Sequence, residues 1–122
     1  MNSSVFKWPD QLQVDRAVRD WAEKEMGSHE GVLRIGYFGS YARGDWGVGS
    51  DLDLVVIVDR AIEPFERRSL TWDLSPLPVP ADLLVYTSRE WLSLREQGGR
   101  FARTLEQETV WVYEASPRKP EA

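Results

Sequence analysis

The chain has 122 residues, 42% of them hydrophobic and 29% charged, which is the length and balance of one globular domain with one core. It has no cysteine and a single histidine, so disulfides, thiolate metal sites, thiol catalysis and multi-histidine metal centres are excluded. A formal net charge of −5 argues against a phosphate-backbone footprint and hence against direct nucleic-acid binding.

The longest apolar run, Leu54 to Val58, falls far short of the roughly 20 residues a bilayer crossing needs. No apolar stretch of the export type opens the chain, so the expected compartment is the cytoplasm, and the Asn2-Ser3-Ser4 sequon carries no weight.

Taken in chain order, Trp8-Pro9-Asp10 reads as a helix start, with Asp10 as N-cap and Gln13 at capping-box spacing. Val14, Ala17, Val18 and Trp21 recur on one face, and Gly27 predicts an end near residue 26. After a loop, Val32 to Phe38 reads as a strand closed by Gly39. A short helical turn over residues 40–44 and a Gly-rich loop over 45–50 follow. Asp51 to Val58 is the strongest strand, and its β-branched run predicts burial on both faces, hence a central place in a sheet. Pro64 opens a helix predicted to reach Trp72, with Phe65, Ser69 and Trp72 on one side. Pro76, Pro78 and Pro80 make an extended linker, and Ala81 to Tyr86 reads as a strand. Thr87 and Glu90 form a second capping box, opening a helix that Gly98-Gly99 interrupts. Phe101, Leu105 and Glu108 continue helically, and Thr109 to Tyr113 reads as a last strand. The expected fold is mixed α/β of the α+β kind, a small mixed β-sheet flanked by helices. One domain is expected over residues 1–115, with 116–122 as a disordered tail.

Three groups of residues carry chemistry. Asp51 and Asp53 are two apart on a predicted strand, so their carboxylates project from one face about 7 Å apart. Two such charges repel unless cations sit between them, and hard oxygens of this kind suit Mg²⁺. An isolated D-x-D more often just marks the solvent end of a strand. The context upstream shifts that weighting. Phe38-Gly39-Ser40 ends the preceding strand, where a glycine lets a phosphate approach the backbone and a serine at a helix start offers hydroxyl and amide donors. A third acid, Asp82, stands in the otherwise apolar run Ala81-Asp82-Leu83-Leu84-Val85, where an unpaired carboxylate is expensive. Its competitor Asp73 sits at a predicted helix end, where an exposed acid needs no explanation. The remaining signals are weaker. Gly47-Val48-Gly49 lacks the spacing of a dinucleotide or Walker loop, and His29 is expected to be solvated in its loop. Trp46 either stacks on a base or packs over the site, while Trp21, Trp72, Trp91 and Trp111 are expected in the core or an interface.

Together, Phe38-Gly39-Ser40, Asp51-Leu52-Asp53-Leu54 and Ala81-Asp82-Leu83 resemble the signature of the DNA polymerase beta-like nucleotidyltransferase superfamily. More narrowly, Gly39-Ser40-Tyr41-Ala42-Arg43-Gly44 and Ser50-Asp51-Leu52-Asp53-Leu54 resemble the minimal nucleotidyltransferases, or MNT proteins. The resemblance is close over roughly residues 32–86 and elsewhere extends to element order. It implies a nucleotidyltransferase fold in which Asp51 and Asp53 hold two Mg²⁺ ions bridging a nucleoside triphosphate, ATP above all. Asp82 would share one metal and accept the proton of the attacking hydroxyl, and Gly39 and Ser40 would hold the terminal phosphates. Arg43 either joins them or forms an ion pair with Asp45. The implied activity is Mg²⁺-dependent transfer of a nucleoside monophosphate, AMP from ATP, to a hydroxyl. The implied acceptor lies on a helical HEPN protein whose toxicity the MNT protein neutralises as an antitoxin. Two alternatives stand beside it: a binding antitoxin or scaffold without turnover, and an aminoglycoside-type adenylyltransferase, whose helical substrate domain this chain does not include.

Overall fold

Asp10 and Gln13 cap each other in the computed structural model, which describes residues 7–115. The Gln13 amide donates to the Asp10 carboxylate at 2.8 Å, and the Asp10 amide donates to the Gln13 side chain at 2.9 Å. Two of the orphan amides of a helix start are thereby satisfied, and helix α1 runs Gln11–Met26. Its stripe of Val14, Val18, Trp21 and Ala22 is buried, each large side chain contributing about 1.5–3 kcal/mol.

Strands β1 (Val32–Phe38), β2 (Leu52–Val58), β3 (Ala81–Thr87) and β4 (Val110–Glu114) form one sheet in the order β3-β2-β1-β4. β1 pairs antiparallel with both β2 and β4, whereas β2 and β3 run parallel. The sheet is therefore mixed, and β2 is an inner strand, as its β-branched run predicts. Leu52, Leu54 and Val56 point into the core that α1 covers, and Val55 and Ile57 into a second cluster with Trp91 and Leu105. Those two residues belong to helices α4 (Ser88–Gln97) and α5 (Arg100–Glu108), separated at Gly98-Gly99. The parallel β2–β3 pair needs a crossover, supplied here by residues 59–80. Thr87 and Glu90 form the second capping box, opening α4 directly after β3.

Two local expectations are corrected. The helix after Pro64 is only one turn, α3 (Phe65–Arg68), continued by a 3-10 turn over Ser69–Thr71. Phe65 and Trp72 do not share a side: the Phe65 ring lies tilted against Tyr86, and Trp72 tilted against Trp21 in the core under α1. The cause is Arg68, which is buried. Its guanidinium takes the Val85 carbonyl at 3.0 Å and both Glu90 oxygens at 2.6 and 3.1 Å, anchoring the turn to β3 and α4. His29 is not solvated either: its side chain is 16% exposed, lies 3.3 Å from the Glu25 carboxylate and stacks on Trp72 at 3.8 Å. The Asn2 sequon and the tail at 116–122 lie outside the described residues.

Arg68→Ala strands the Val85 carbonyl and removes a bidentate partner from Glu90. The expected cost is about 2–3 kcal/mol in chemical denaturation, at the low end for a buried pair because the Glu90 side chain is 41% exposed. An unchanged denaturation midpoint would show that water replaces the contacts without loss.

Candidate active site

The sheet register brings two of the three predicted acids together. Phe38 pairs with Asp53 across β1–β2, and Asp53 pairs with Asp82 across β2–β3, so the three form one row across three strands. Neighbouring strands lie about 4.8 Å apart, which sets Asp53 and Asp82 side by side. Strand alternation puts this row on the face of Val55 and Ile57, the face that carries α4 and α5. A groove of about 480 Å³ opens at the β3 end of the row, lined by Phe38, Asp53, Asp82 and Leu84 of this face and by Ser69, Leu74, Ala81 and Leu83, the last three of which pack with the core under α1.

Asp51 stands one residue before β2 rather than on it, and is exposed. The ladder starts only at Leu52, whose amide donates to the Pro80 carbonyl at 2.8 Å. Asp82 is also exposed, contrary to the burial expected of an acid in that apolar run; its register with Asp53 is what places it at the site. Asp73 is held elsewhere: its carbonyl accepts from Trp21 Nε1 at 2.7 Å and its amide donates to Glu25 at 3.1 Å, both on α1.

Asp53 is half-buried, and burial pushes its carboxyl up from the ordinary range, with the charges of Asp82 and Asp51 adding to the rise. Arg43 opposes the shift and Glu108 reinforces it. A partly desolvated carboxylate among like charges favours any cation that reaches it. Among the described residues no three acidic or histidine side chains are close enough to ligate one ion as placed; Asp53 and Asp82 are the adjacent pair, with Asp51 flanking.

Gly39 follows Phe38 and so borders the row. Its φ of 80° lies in the region that favours glycine, and a Cβ built there collides with the Asp53 carboxylate. Its backbone thus lies against Asp53, and helix α2 (Ser40–Arg43) starts immediately after it. Gly39→Ala is expected to cost about 1–3 kcal/mol, from the strained φ and the displaced Asp53 side chain, read as a lower thermal midpoint. An unaltered midpoint would mean that the loop relaxes away from Asp53.

Arg43 forms the ion pair with Asp45 that the sequence left open, at 3.0 Å, and reaches Glu108 at 3.4 Å as well. Trp46 lies parallel to the buried ring of Tyr41 with centroids 5.7 Å apart, so it packs on the core. Glu108 is the site residue that sequence reasoning missed. It ends α5, and its carboxylate accepts the Gly39 amide at 2.8 Å. The signal was its place on the apolar spacing Phe101–Leu105–Glu108, where an acid calls for a partner.

Residues 19–112 match the family model described as nucleotidyltransferase domain. The chain belongs to that family. No curated protein matches its sequence. Among solved structures it is similar to a protein from Sulfolobus solfataricus assigned as a nucleotidyltransferase, at 18% identity, with 93% of each chain covered and a TM-score of 0.63. It is also similar to a toxin-antitoxin protein solved with AMP-PNP, at 15% identity over 80% of this chain and 73% of that one, with a TM-score of 0.51. A mutant of the toxin-antitoxin MntA-HpeT is similar at 17% identity over 88% and 75%, again with a TM-score of 0.51. At these identities the likeness is one of fold, and the expected nucleotidyltransferase fold is the one observed. No helix among the described residues is long and apolar enough to cross a membrane.

Proposed function

We propose that this nucleotidyltransferase-domain protein transfers AMP from ATP to a hydroxyl of a helical HEPN partner and acts in the cytoplasm as that partner's antitoxin. The observation that carries the transfer reading is the row Phe38–Asp53–Asp82 with the Gly39 turn against it, inside a chain of the nucleotidyltransferase family. The toxin-antitoxin neighbours, one of them solved with AMP-PNP, support a nucleotide-dependent role beside a toxin.

Asp53 and Asp82, with Asp51 flanking, have the hard oxygen donors and the excess of like charge that suit Mg²⁺. When bound there, divalent ions would neutralise the triphosphate and stabilise charge in the transition state. The chain's own groups do the rest. The Gly39 amide is a donor for a phosphate oxygen, and the Ser40 hydroxyl and Arg43 guanidinium add donors beside it. The acceptor hydroxyl attacks the α-phosphorus, the bond to the bridging oxygen breaks, and pyrophosphate leaves in line with the attack. Asp82 takes the hydroxyl proton; being exposed at the mouth of the groove, it is reachable by an acceptor that docks from outside. The row thus supplies binding, orientation and the base, and acceptor geometry comes from the docked surface. The test is transfer of label from ATP marked at the α-phosphate to the co-purified partner. Absence of label on the partner, with nucleotide binding intact, would overturn the reading.

A further inference from the structure

Glu108 has no part in that scheme, yet it takes up two of its donors. Its side chain is only 15% exposed. One carboxylate oxygen accepts the Gly39 amide at 2.8 Å, and both lie 3.4 Å from Arg43 Nη1. Glu108 is the last residue of α5, where the unpaired carbonyls of a helix end repel anions, and its charge adds to those already raising Asp53. What holds it is the same pair of groups, a backbone amide and a guanidinium, that recognises phosphate oxygens.

We propose that Glu108 is a built-in competitor of the nucleotide: its carboxylate occupies the anion position made by the Gly39 amide and Arg43, and an incoming phosphate must displace it. This rests on the reading of Gly39 and Arg43 as phosphate donors. It sets ATP affinity below what those donors would otherwise give, because each binding event first breaks charge-assisted contacts within the protein. A role confined to fastening α5 to the Gly39 turn makes a different demand. A fastener needs an acceptor oxygen, which glutamine also has; a competitor needs the charge.

Glu108→Gln separates the two. In calorimetry with the full chain, ATP and Mg²⁺, the variant is expected to bind ATP roughly tenfold tighter, while affinity for adenosine, which has no phosphate, does not change. In transfer assays the gain falls on KM for ATP rather than on kcat. Glu108→Ala, which also removes the hydrogen bond, is expected to bind ATP tighter as well, with a lower thermal midpoint that reports the lost fastening. ATP affinity in folded Glu108→Gln that equals or falls below that of the wild type overturns the proposal, as does loss of transfer at saturating ATP, which would put Glu108 in the chemistry. Wild type and both variants all failing to bind ATP would instead bring down the nucleotide reading itself, and this proposal with it.

Discussion

ATP with Mg²⁺ is expected to stabilise the wild type against heat, and exchanging Asp51 and Asp53 together for asparagine is expected to abolish that stabilisation. A ligand at a hundredfold excess over its dissociation constant adds about 2.7 kcal/mol by mass action, or roughly 8–15 °C for a domain of this size. If the two carboxylates anchor the metal-bound triphosphate as proposed, the shift disappears without them. The unliganded double variant is expected to melt higher than the wild type at neutral pH, by roughly 2–5 °C, because burial and the Asp82 and Asp51 charges hold the Asp53 carboxyl above its ordinary range. The sign follows from proton linkage. Between the unfolded and the raised folded value the native state binds more protons, so wild-type stability falls as pH rises through that window. The double variant lacks this decline. Melting curves from pH 4 to pH 7, with and without ATP and Mg²⁺, check both claims, and an equal ATP-dependent shift in the double variant would remove Asp51 and Asp53 from the site.

The elements were legible because their punctuation is local. The Asp10–Gln13 and Thr87–Glu90 boxes, the glycines at 27 and 39 and the β-branched run from Leu54 act within a few residues, and each falls where the pattern put it. Pairing partners are set by register, which the sequence does not print. The α3 segment shows the difference: its apolar spacing suggested a longer helix, but the turn is fixed by Arg68 reaching across to Val85 and Glu90, a contact over some twenty residues of sequence. His29 failed for the same reason, since its stacking partner Trp72 arrives from the crossover. At the candidate site, Gly39, Ser40, Asp51 and Asp53 were legible as motif letters. Asp82 stands out in the sequence as an acid in an apolar run; it is exposed rather than buried, and it is the register that places it beside Asp53. Glu108 was missed because its donors, Gly39 and Arg43, lie 69 and 65 residues away.

Asp82→Asn is expected to leave ATP binding largely intact and to lower transfer to the partner by roughly 10²–10⁴-fold, the usual range for a lost general base. The exposure of Asp82 matters here. A half-buried acid such as Asp53 is placed to bind charge, whereas an exposed one at the groove mouth can meet a hydroxyl on a docked surface. Asparagine keeps the shape and an acceptor oxygen but cannot take a proton at neutral pH, so the loss appears in the chemical step, in kcat rather than in the dissociation constant for ATP. Single-turnover transfer from ATP labelled at the α-phosphate, run beside calorimetry, separates the two quantities. If Asp82→Asn weakens ATP binding as much as it slows transfer, the residue serves only as a metal or phosphate anchor and the base lies elsewhere. The partner's own activity gives the sharper division between enzyme and binder. A catalytic antitoxin with Asp51, Asp53 and Asp82 all changed to asparagine leaves its partner active, because docking by itself modifies nothing. A triple variant that forms the complex and silences the partner as well as the wild type would establish neutralisation by contact, with the acidic row idle.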